Sequence, residues 1–154
     1  MQITTPVRVE RQYTQKLHAK PDDVFPLLCP VREQEWVEGW DPLVVYSRSG
    51  FAENNCVFTT GDEKPDSIWV ITEFDSERHK LSIVKVTPGM TVARISISLS
   101  QNAMGHTNAD IVYLYTAISP EGEQFVHDYS EEYFEKFMQY SELVLNNFLD
   151  ARSC

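Results

Sequence analysis

The sequence predicts a single α+β domain in which a curved antiparallel sheet of about seven strands surrounds a long C-terminal helix. Three observations predict this architecture. An amphipathic strand begins near Val7, and six strand-like segments follow a short proline-rich helical region. After Ser119 the apolar period changes from two to about 3.6 residues. The resulting β-α-α-β6-α order places the last helix against one face of the sheet.

The first strand is predicted to begin at Val7 and to stop at the sequence 19–23, and Val7, Val9, Tyr13 and Leu17 share its odd positions. A helix should follow at Pro21, because proline suits a first helical turn and the two acids after it complement the helix dipole. Pro26 and Pro30 each lack a backbone donor, so this helix must be short or broken. A second brief helix is predicted over 31–36.

Six further strands are predicted from apolar and β-branched residues between turn sequences. The sixth strand of the sheet is the clearest, because Ala93, Ile95, Ile97 and Leu99 alternate with polar residues and so mark one buried face. The predicted strands cover 43–48, 55–60, 67–74, 80–87, 91–100 and 107–119.

One helix over 123–149 is predicted to close the chain, preceded by the capping sequence Ser119-Pro120. At 1.5 Å per residue it would be about 40 Å long and would cross the whole sheet. The predicted buried row of this helix is Phe125, Tyr129, Tyr133, Phe137, Val144 and Phe148. Ser141 completes the same row.

Length and composition predict one domain over 1–154. Hydrophobic residues make up 42% of the chain, which suffices for a substantial core, and no repeat or linker divides it. The net charge of −10 disfavours nucleic acid and anionic lipid as partners. No segment is apolar enough for stable membrane insertion as a helix. A homodimer is compatible with these properties.

Sequence motifs predict neither a metal site nor a cofactor. The four histidines lack ligand spacing, and no phosphate loop, dinucleotide fingerprint or nucleophile elbow is present. Cys29, Cys56 and Cys154 are an odd number of cysteines, and the amino terminus lacks the regions of a secretory signal. We therefore expect a soluble protein in the reducing cytoplasm.

The order of elements, together with three short motifs, resembles the START, Bet v 1 and polyketide-cyclase (SRPBCC) superfamily, which has the helix-grip fold. The motifs are Ala-Lys-Pro-Asp-Asp-Val-Phe at 19–25, Glu-Trp-Val-Glu-Gly-Trp-Asp-Pro at 35–42 and Gly-His-Thr-Asn-Ala-Asp-Ile at 105–111. The resemblance covers nearly the whole chain. It implies a deep pocket between sheet and helix for a small apolar molecule such as a lipid, sterol, polyketide or aromatic compound.

The aromatic row of the last helix supplies candidate ligand-binding residues, although core packing is the favoured interpretation of the row as a whole. Tyr129 and Tyr133 are the stronger candidates, because a buried hydroxyl requires a partner. Phe137 belongs to the same row, and Tyr113 and Tyr115 of the last strand complete this part of the candidate site.

Three tryptophans are further wall candidates. The resemblance places Trp36 and Trp40 at the mouth of the cavity, where they could control access, although anchoring a turn against the sheet is the favoured interpretation. Trp69 lies within a strand, where a core or sheet-face position is expected.

Arg94 could fix a carboxylate if it faced the cavity. It shares its face with Ser96, Ser98 and Ser100, a pattern typical of a solvated surface, and so we expect Arg94 to be exposed. Lys85 on the preceding strand is expected to be exposed as well.

Two functional hypotheses follow, and a third remains open. The leading hypothesis is a module that binds a small hydrophobic ligand and performs no chemistry. The alternative is an enzyme resembling polyketide aromatase/cyclases, which would require Arg94, Tyr113, Tyr115 and a histidine to converge inside the cavity, whereas an all-apolar lining would exclude it. A chaperone-cofactor-like interaction module would instead require an exposed apolar patch.

Overall fold

The computed structural model describes residues 1–153, so Cys154 lies outside the described residues. It contains seven strands, three α-helices and two 3-10 turns. The strands are β1 Arg8–Leu17, β2 Val44–Tyr46, β3 Val57–Thr60, β4 Ser67–Asp75, β5 Lys80–Thr87, β6 Thr91–Gln101 and β7 Thr107–Ala117. The helices are α1 Pro21–Val24, α2 Pro120–Asp128 and α3 Glu131–Arg152, and the 3-10 turns are Phe25–Leu27 and Arg32–Glu35.

The seven strands form one curved antiparallel sheet in the order β1-β7-β6-β5-β4-β3-β2. The predicted α+β helix-grip architecture is therefore confirmed, although β2 and β3 are shorter than expected. Cross-strand register aligns Lys85 of β5 with Ala93 of β6, and Ala93 with Tyr115 of β7. Since alternate residues of a strand share a face, this register defines one concave inner face. A register shift between Ile71 and Glu73 interrupts the β4–β5 pairing.

The proline-rich segment between β1 and β2 folds into short pieces, as predicted. Pro21 occupies the first turn of α1, and Pro26 lies within the 3-10 turn that follows directly. Phe25 and Leu27 are buried here, so the segment covers one end of the sheet. The second 3-10 turn is fixed by a bidentate ion pair between Arg32 and Glu35, with N–O distances of 3.0 and 3.3 Å.

The C-terminal region consists of two helices, and the prediction of one continuous helix over 123–149 is wrong. Tyr129 ends α2 with a non-helical backbone, and the Ser130 side chain caps α3 by accepting a hydrogen bond from the Tyr133 amide. Arg11 donates hydrogen bonds of 2.9 and 3.3 Å to the Tyr129 carbonyl at this junction. The serine cap and the half-buried Arg11 guanidinium, which satisfies a free carbonyl, both stabilise the break.

This break changes which side of α3 is buried. The core residues of α3 are Phe134, Met138, Leu145 and Leu149, one position beyond the predicted row. Tyr133 and Phe137 are instead 60% and 44% exposed. Because α3 begins separately after the Ser130 cap, the positions that it buries are not in register with those of α2. The row of buried residues counted from Phe125 therefore does not continue into α3.

Helix α3 is attached to the edge strand β1 by hydrogen bonds. The buried Gln15 side chain donates to the Met138 carbonyl at 3.0 Å and to Ser141 Oγ at 2.7 Å. Asn146 donates to the Lys16 carbonyl at 2.9 Å and accepts from the His18 amide at the same distance. The helix therefore lies along one edge of the sheet. It does not cover the rest of the inner face of the sheet.

Helix α2 closes the adjacent end of the sheet through a close backbone approach. The Ser119 side chain accepts a hydrogen bond from the Gly122 amide, as the predicted cap requires. A Cβ atom at Gly122 would overlap the Met90 carbonyl oxygen in the β5–β6 turn. Only glycine permits α2 to lie this close to the turn. Among residues 1–153, no helix combines the length and apolarity needed to cross a membrane.

Candidate functional site

Two adjacent cavities lie between the inner face of the sheet and the C-terminal helices. The first has a volume of about 440 Å³ and the second about 300 Å³. Both are predominantly apolar, and Trp69, Tyr113 and Phe137 belong to the walls of both. Together they provide room for a small organic molecule.

The first cavity is lined mainly by aromatic rings. Tyr115 packs against Tyr129 with ring centroids 4.9 Å apart and against Phe125 at 5.1 Å. Tyr129 donates its hydroxyl to Tyr115, and burial raises the pKa of Tyr113, Tyr115 and Tyr129. These hydroxyls therefore remain neutral over the physiological range and act as hydrogen-bond donors and acceptors.

Lys85 also lines the first cavity, so the prediction that it is exposed is wrong. Its Nζ lies 4.6 Å from the Trp69 ring centroid, and burial lowers its pKa, although Asp66 opposes this shift. The reason is strand parity, because Leu81, Ile83 and Lys85 lie on the same inner face of β5. The first cavity therefore contains one cation over an aromatic face, with Asp128 also in its wall.

The second cavity lies beneath the segment between α1 and β2. Phe58 and Trp69 stack with ring centroids 5.2 Å apart, and Trp40 meets both rings edge-on at 6.2 Å. Aliphatic residues from the central strands form its floor: Leu81, Ile83, Ile95, Ile97 and Ile111. Gln15 and Ser141 are polar members of the wall, but they are hydrogen-bonded to one another.

Trp36 and Trp40 serve the anchoring role that the sequence favoured. Their indole N–H groups donate to the Leu27 and Pro30 carbonyls at 3.0 and 2.7 Å respectively. Both rings also line the second cavity. Anchoring and wall formation are thus compatible in these two residues, because the N–H edge binds the backbone while the ring faces the cavity.

Glu33 is a cavity residue that the sequence analysis did not single out. It lies in the 3-10 turn, is half-buried and lines the second cavity. Its carboxylate has no hydrogen bond or ion pair with any residue in the described chain, because Arg32 is engaged by Glu35. Burial raises the pKa of the Glu33 carboxyl to about 7, and its charge contributes to the raised pKa of Tyr113.

A sequence signal for Glu33 exists in its spacing. Three other wall residues follow Glu33 by three, four and seven positions, which is the spacing of one helical face. They are Trp36, Val37 and Trp40, and all four residues line the second cavity. The segment was too short and irregular for that pattern to stand out.

The structure brings all eight predicted wall residues to the two cavities. Trp36 and Trp40 line the second, whereas Tyr115, Tyr129 and Tyr133 line the first. The three shared wall residues are Trp69, Tyr113 and Phe137.

The arrangement expected of the enzyme alternative is only partly present. Tyr113 and Tyr115 face the first cavity, but Arg94 is exposed on the outer face, as its serine neighbours indicated. No histidine lines either cavity in the described part of the chain. Neither is the lining wholly apolar, because Lys85 and Glu33 contribute charge. Within residues 1–153, no cluster of three His, Cys, Asp or Glu side chains is arranged to hold a metal ion.

Four exposed apolar side chains lie on one side of α3: Tyr133, Phe137, Tyr140 and Leu143. Tyr133 and Phe137 belong to the wall of the first cavity, and Phe137 and Tyr140 to that of the second. Most of this exposed surface is therefore accounted for by the rims of the two cavities.

Comparisons with solved structures identify the fold. Norcoclaurine synthase from Thalictrum flavum is 13% identical with a TM-score of 0.66, and the match covers 92% of this chain and 95% of that one. Ara h 8.0201 is 10% identical with a TM-score of 0.65, covering 94% and 99% respectively. CalU16 from Micromonospora echinospora is 16% identical with a TM-score of 0.60, covering 95% and 84%. Another structure of the synthase is a complex with dopamine and hydroxybenzaldehyde.

The chain therefore has the Bet v 1-like helix-grip fold, as its order of elements indicated. Identities of 10–16% establish the fold alone. No protein-family model matches the chain, and no curated protein sequence matches it.

Proposed function

We propose that this protein binds a small hydrophobic molecule, of lipid, polyketide or aromatic type, in the cavities between the sheet and the C-terminal helices. The observation that carries the proposal is the pair of adjacent cavities that share Trp69, Tyr113 and Phe137 as walls. Transfer of an apolar molecule from water to such walls is favourable, since it removes apolar surface from water on both sides.

The chemistry of the walls supports an aromatic or partly aromatic ligand. Flat rings from Trp36, Trp40 and Trp69 offer stacking surfaces, and the hydroxyls of Tyr113 and Tyr115 offer hydrogen bonds for orientation. Norcoclaurine synthase, which shares this fold, forms a complex with two small aromatic molecules, dopamine and hydroxybenzaldehyde.

An enzyme of the polyketide cyclase/aromatase type is the second candidate, and Lys85 is the observation that favours it. Its ammonium lies in the first cavity over Trp69, and burial lowers its pKa. A cation beside neutral tyrosine hydroxyls could stabilise an enolate and assist proton transfer. Turnover of an aromatic polyketide substrate that is lost in Lys85→Met would support this candidate over simple binding.

The binding proposal is tested with the neutral dye N-phenyl-1-naphthylamine and with native mass spectrometry of protein purified without detergent. We expect saturable dye fluorescence at a 1:1 ratio, together with an adduct that is lost on denaturation. Ile97→Phe adds a ring to the floor of the second cavity and should weaken dye binding about tenfold, equivalent to about 1.4 kcal/mol.

Ser98→Phe is the matched control, because it adds the same ring on the outer face of the same strand. Val144→Phe fills the second cavity from α3 and serves if Ile97→Phe does not fold. Dye binding that is non-saturable, or equally weakened by Ser98→Phe, would contradict a cavity site.

The predicted cytoplasmic location and homodimer also belong to this proposal. Cys29 and Cys56 are both free and buried, which is compatible with a reducing compartment. Solution mass measured by light scattering at several concentrations would decide between monomer and dimer.

A further inference from the structure

We propose that the second cavity binds the protonated amine of an otherwise apolar ligand through the Glu33 carboxylate. This inference deepens the proposed function, on which it rests, by assigning a chemical class to the ligand. It begins from a charge without a partner: the Glu33 carboxylate lines the cavity and has no hydrogen bond or ion pair with a described residue.

No other residue in the wall of the second cavity can neutralise Glu33. The described wall contains no lysine, arginine or histidine. Arg32 is held by Glu35, and Lys85 lies over Trp69 in the first cavity with Asp66 as its charged neighbour. A half-buried carboxylate without a counter-charge loses part of its hydration, and a cationic ligand offsets that cost.

The surrounding rings favour a cation over a neutral donor. Trp36, Trp40, Tyr113 and Tyr140 line the same cavity as Glu33. The faces of aromatic rings attract ammonium groups, and the attraction increases when the cation is removed from water. The net charge of −10 adds a long-range attraction for cations and a repulsion for anions.

Protonation of the free carboxyl makes this recognition dependent on pH. Burial raises the pKa of Glu33 to about 7, so near neutral pH the empty cavity holds a mixture of neutral and ionised carboxyl. An amine binds the ionised form, and binding should therefore strengthen as pH rises through 7. The other titratable groups of this wall are the exposed Glu38 and the phenols of Tyr113 and Tyr140.

Calorimetric titration with two naphthalene probes of similar shape tests the proposal. Naphthalen-1-ylmethylamine carries the ammonium, and naphthalen-1-ylmethanol replaces it with a neutral hydroxyl. At pH 8 we expect wild-type protein to bind the amine at least about tenfold more tightly, as charge-assisted hydrogen bonds exceed neutral ones. Glu33→Gln should abolish that preference and leave the affinity for the alcohol within about twofold.

Glu38→Gln is the matched control, because it removes a carboxylate from the rim of the same cavity. It should leave the preference for the amine nearly unchanged, since an exposed carboxylate contributes little. For the wild-type protein the amine should bind about tenfold more weakly at pH 6 than at pH 8, and the alcohol should show no such loss. This pH profile requires no substituted protein, so it decides the matter even if Glu33→Gln does not fold.

Three outcomes would overturn the inference. Equal affinity for amine and alcohol at pH 8 would show that the site has no preference for a cation. If Glu38→Gln reduces the preference for the amine as much as Glu33→Gln does, the preference arises from the rim of the cavity. In both cases, binding of the alcohol preserves the broader proposal of a hydrophobic ligand. Failure of both probes and of the neutral dye to bind would overturn the broader proposal itself.

Discussion

The two cavities share three wall residues but differ in whether the polar groups in their walls have partners within the protein. In the first cavity the Tyr129 hydroxyl is hydrogen-bonded to Tyr115, and Lys85 lies over Trp69. In the second, Gln15 is satisfied by α3, whereas the Glu33 carboxylate has no partner among the described residues. A cavity whose tyrosine hydroxyls are hydrogen-bonded to each other therefore lies beside a cavity that contains an unpaired carboxylate.

The comparison shows where the ligand should contribute energy. Groups that already bind each other gain little from a ligand, because one hydrogen bond replaces another. The unpaired, half-buried Glu33 carboxylate gains more, because it is only partly hydrated before a ligand binds. We therefore expect the paired tyrosines of the first cavity to contribute mainly shape and Glu33 of the second to contribute selectivity for cations.

The largest expected effect concerns the closure of the first cavity. Gly122→Ala should destabilise the protein by about 2–3 kcal/mol, because the new methyl group overlaps the Met90 carbonyl. Urea denaturation measures this loss. Helix α2 contributes Phe125 and Asp128 to the first cavity only, so the amine preference of the second should persist in the folded fraction. Glu123→Ala on the exposed side of α2 is the control, with an expected change within about 0.5 kcal/mol.

An intermediate effect is expected from the unpaired carboxyl. The pKa of Glu33 rises from 4.5 to about 7 on folding, so the folded state holds the proton more tightly. Stability should therefore fall as pH rises from 4.5 to 7, and the full destabilisation is present above 7. After discounting for the water that enters the cavity, Glu33→Gln should stabilise the protein at pH 8 by about 2 kcal/mol.

Urea denaturation at pH 8 and pH 5 checks the Glu33 effect, since the gain should fall to about a quarter of its size at pH 5, where the wild-type carboxyl is neutral in the folded protein. Glu38→Gln should produce no comparable dependence on pH. A gain of equal size at both pH values would show that burial of the charge is not its cause.

The smallest expected effect concerns the paired hydroxyls of the first cavity. Tyr129→Phe removes the donor to Tyr115 and should cost about 1 kcal/mol, the usual net value of one hydrogen bond. Thermal denaturation followed by circular dichroism measures it. Tyr140→Phe, at an exposed ring on α3, should leave the melting temperature unchanged. Equal losses in both variants would indicate that the Tyr129–Tyr115 bond contributes nothing specific.

The fold could be predicted from sequence because its signals are local. Alternation along β6, prolines after β1 and the period change after Ser119 each depend on a few neighbouring residues. The break at Tyr129 could not be predicted in this way. It depends on Arg11, a residue over one hundred positions away that binds the Tyr129 carbonyl.

The site was only partly predictable, for a related reason. Aromatic walls such as Trp36 and Tyr115 could be proposed, because large rings favour buried positions. The prediction for Lys85 was wrong because it relied on the charge of the side chain. The alternation along β5 places Lys85 on the inner face with Leu81 and Ile83. Glu33 was missed because its isolation depends on Arg32 being engaged by Glu35, a choice among neighbours that only the folded chain defines.

The attachment of α3 has a kinetic consequence. Hydrogen bonds join the helix to β1 through Gln15 and Asn146, whereas Phe137 and Tyr140 are partly exposed rings in the cavity walls. A bound molecule can depart by rotation of these partly exposed rings, without rupture of the β1–α3 hydrogen bonds. Ring rotation is far faster than local unfolding. We therefore expect the lifetime of the complex to follow ring size at 137 and 140, independently of global stability.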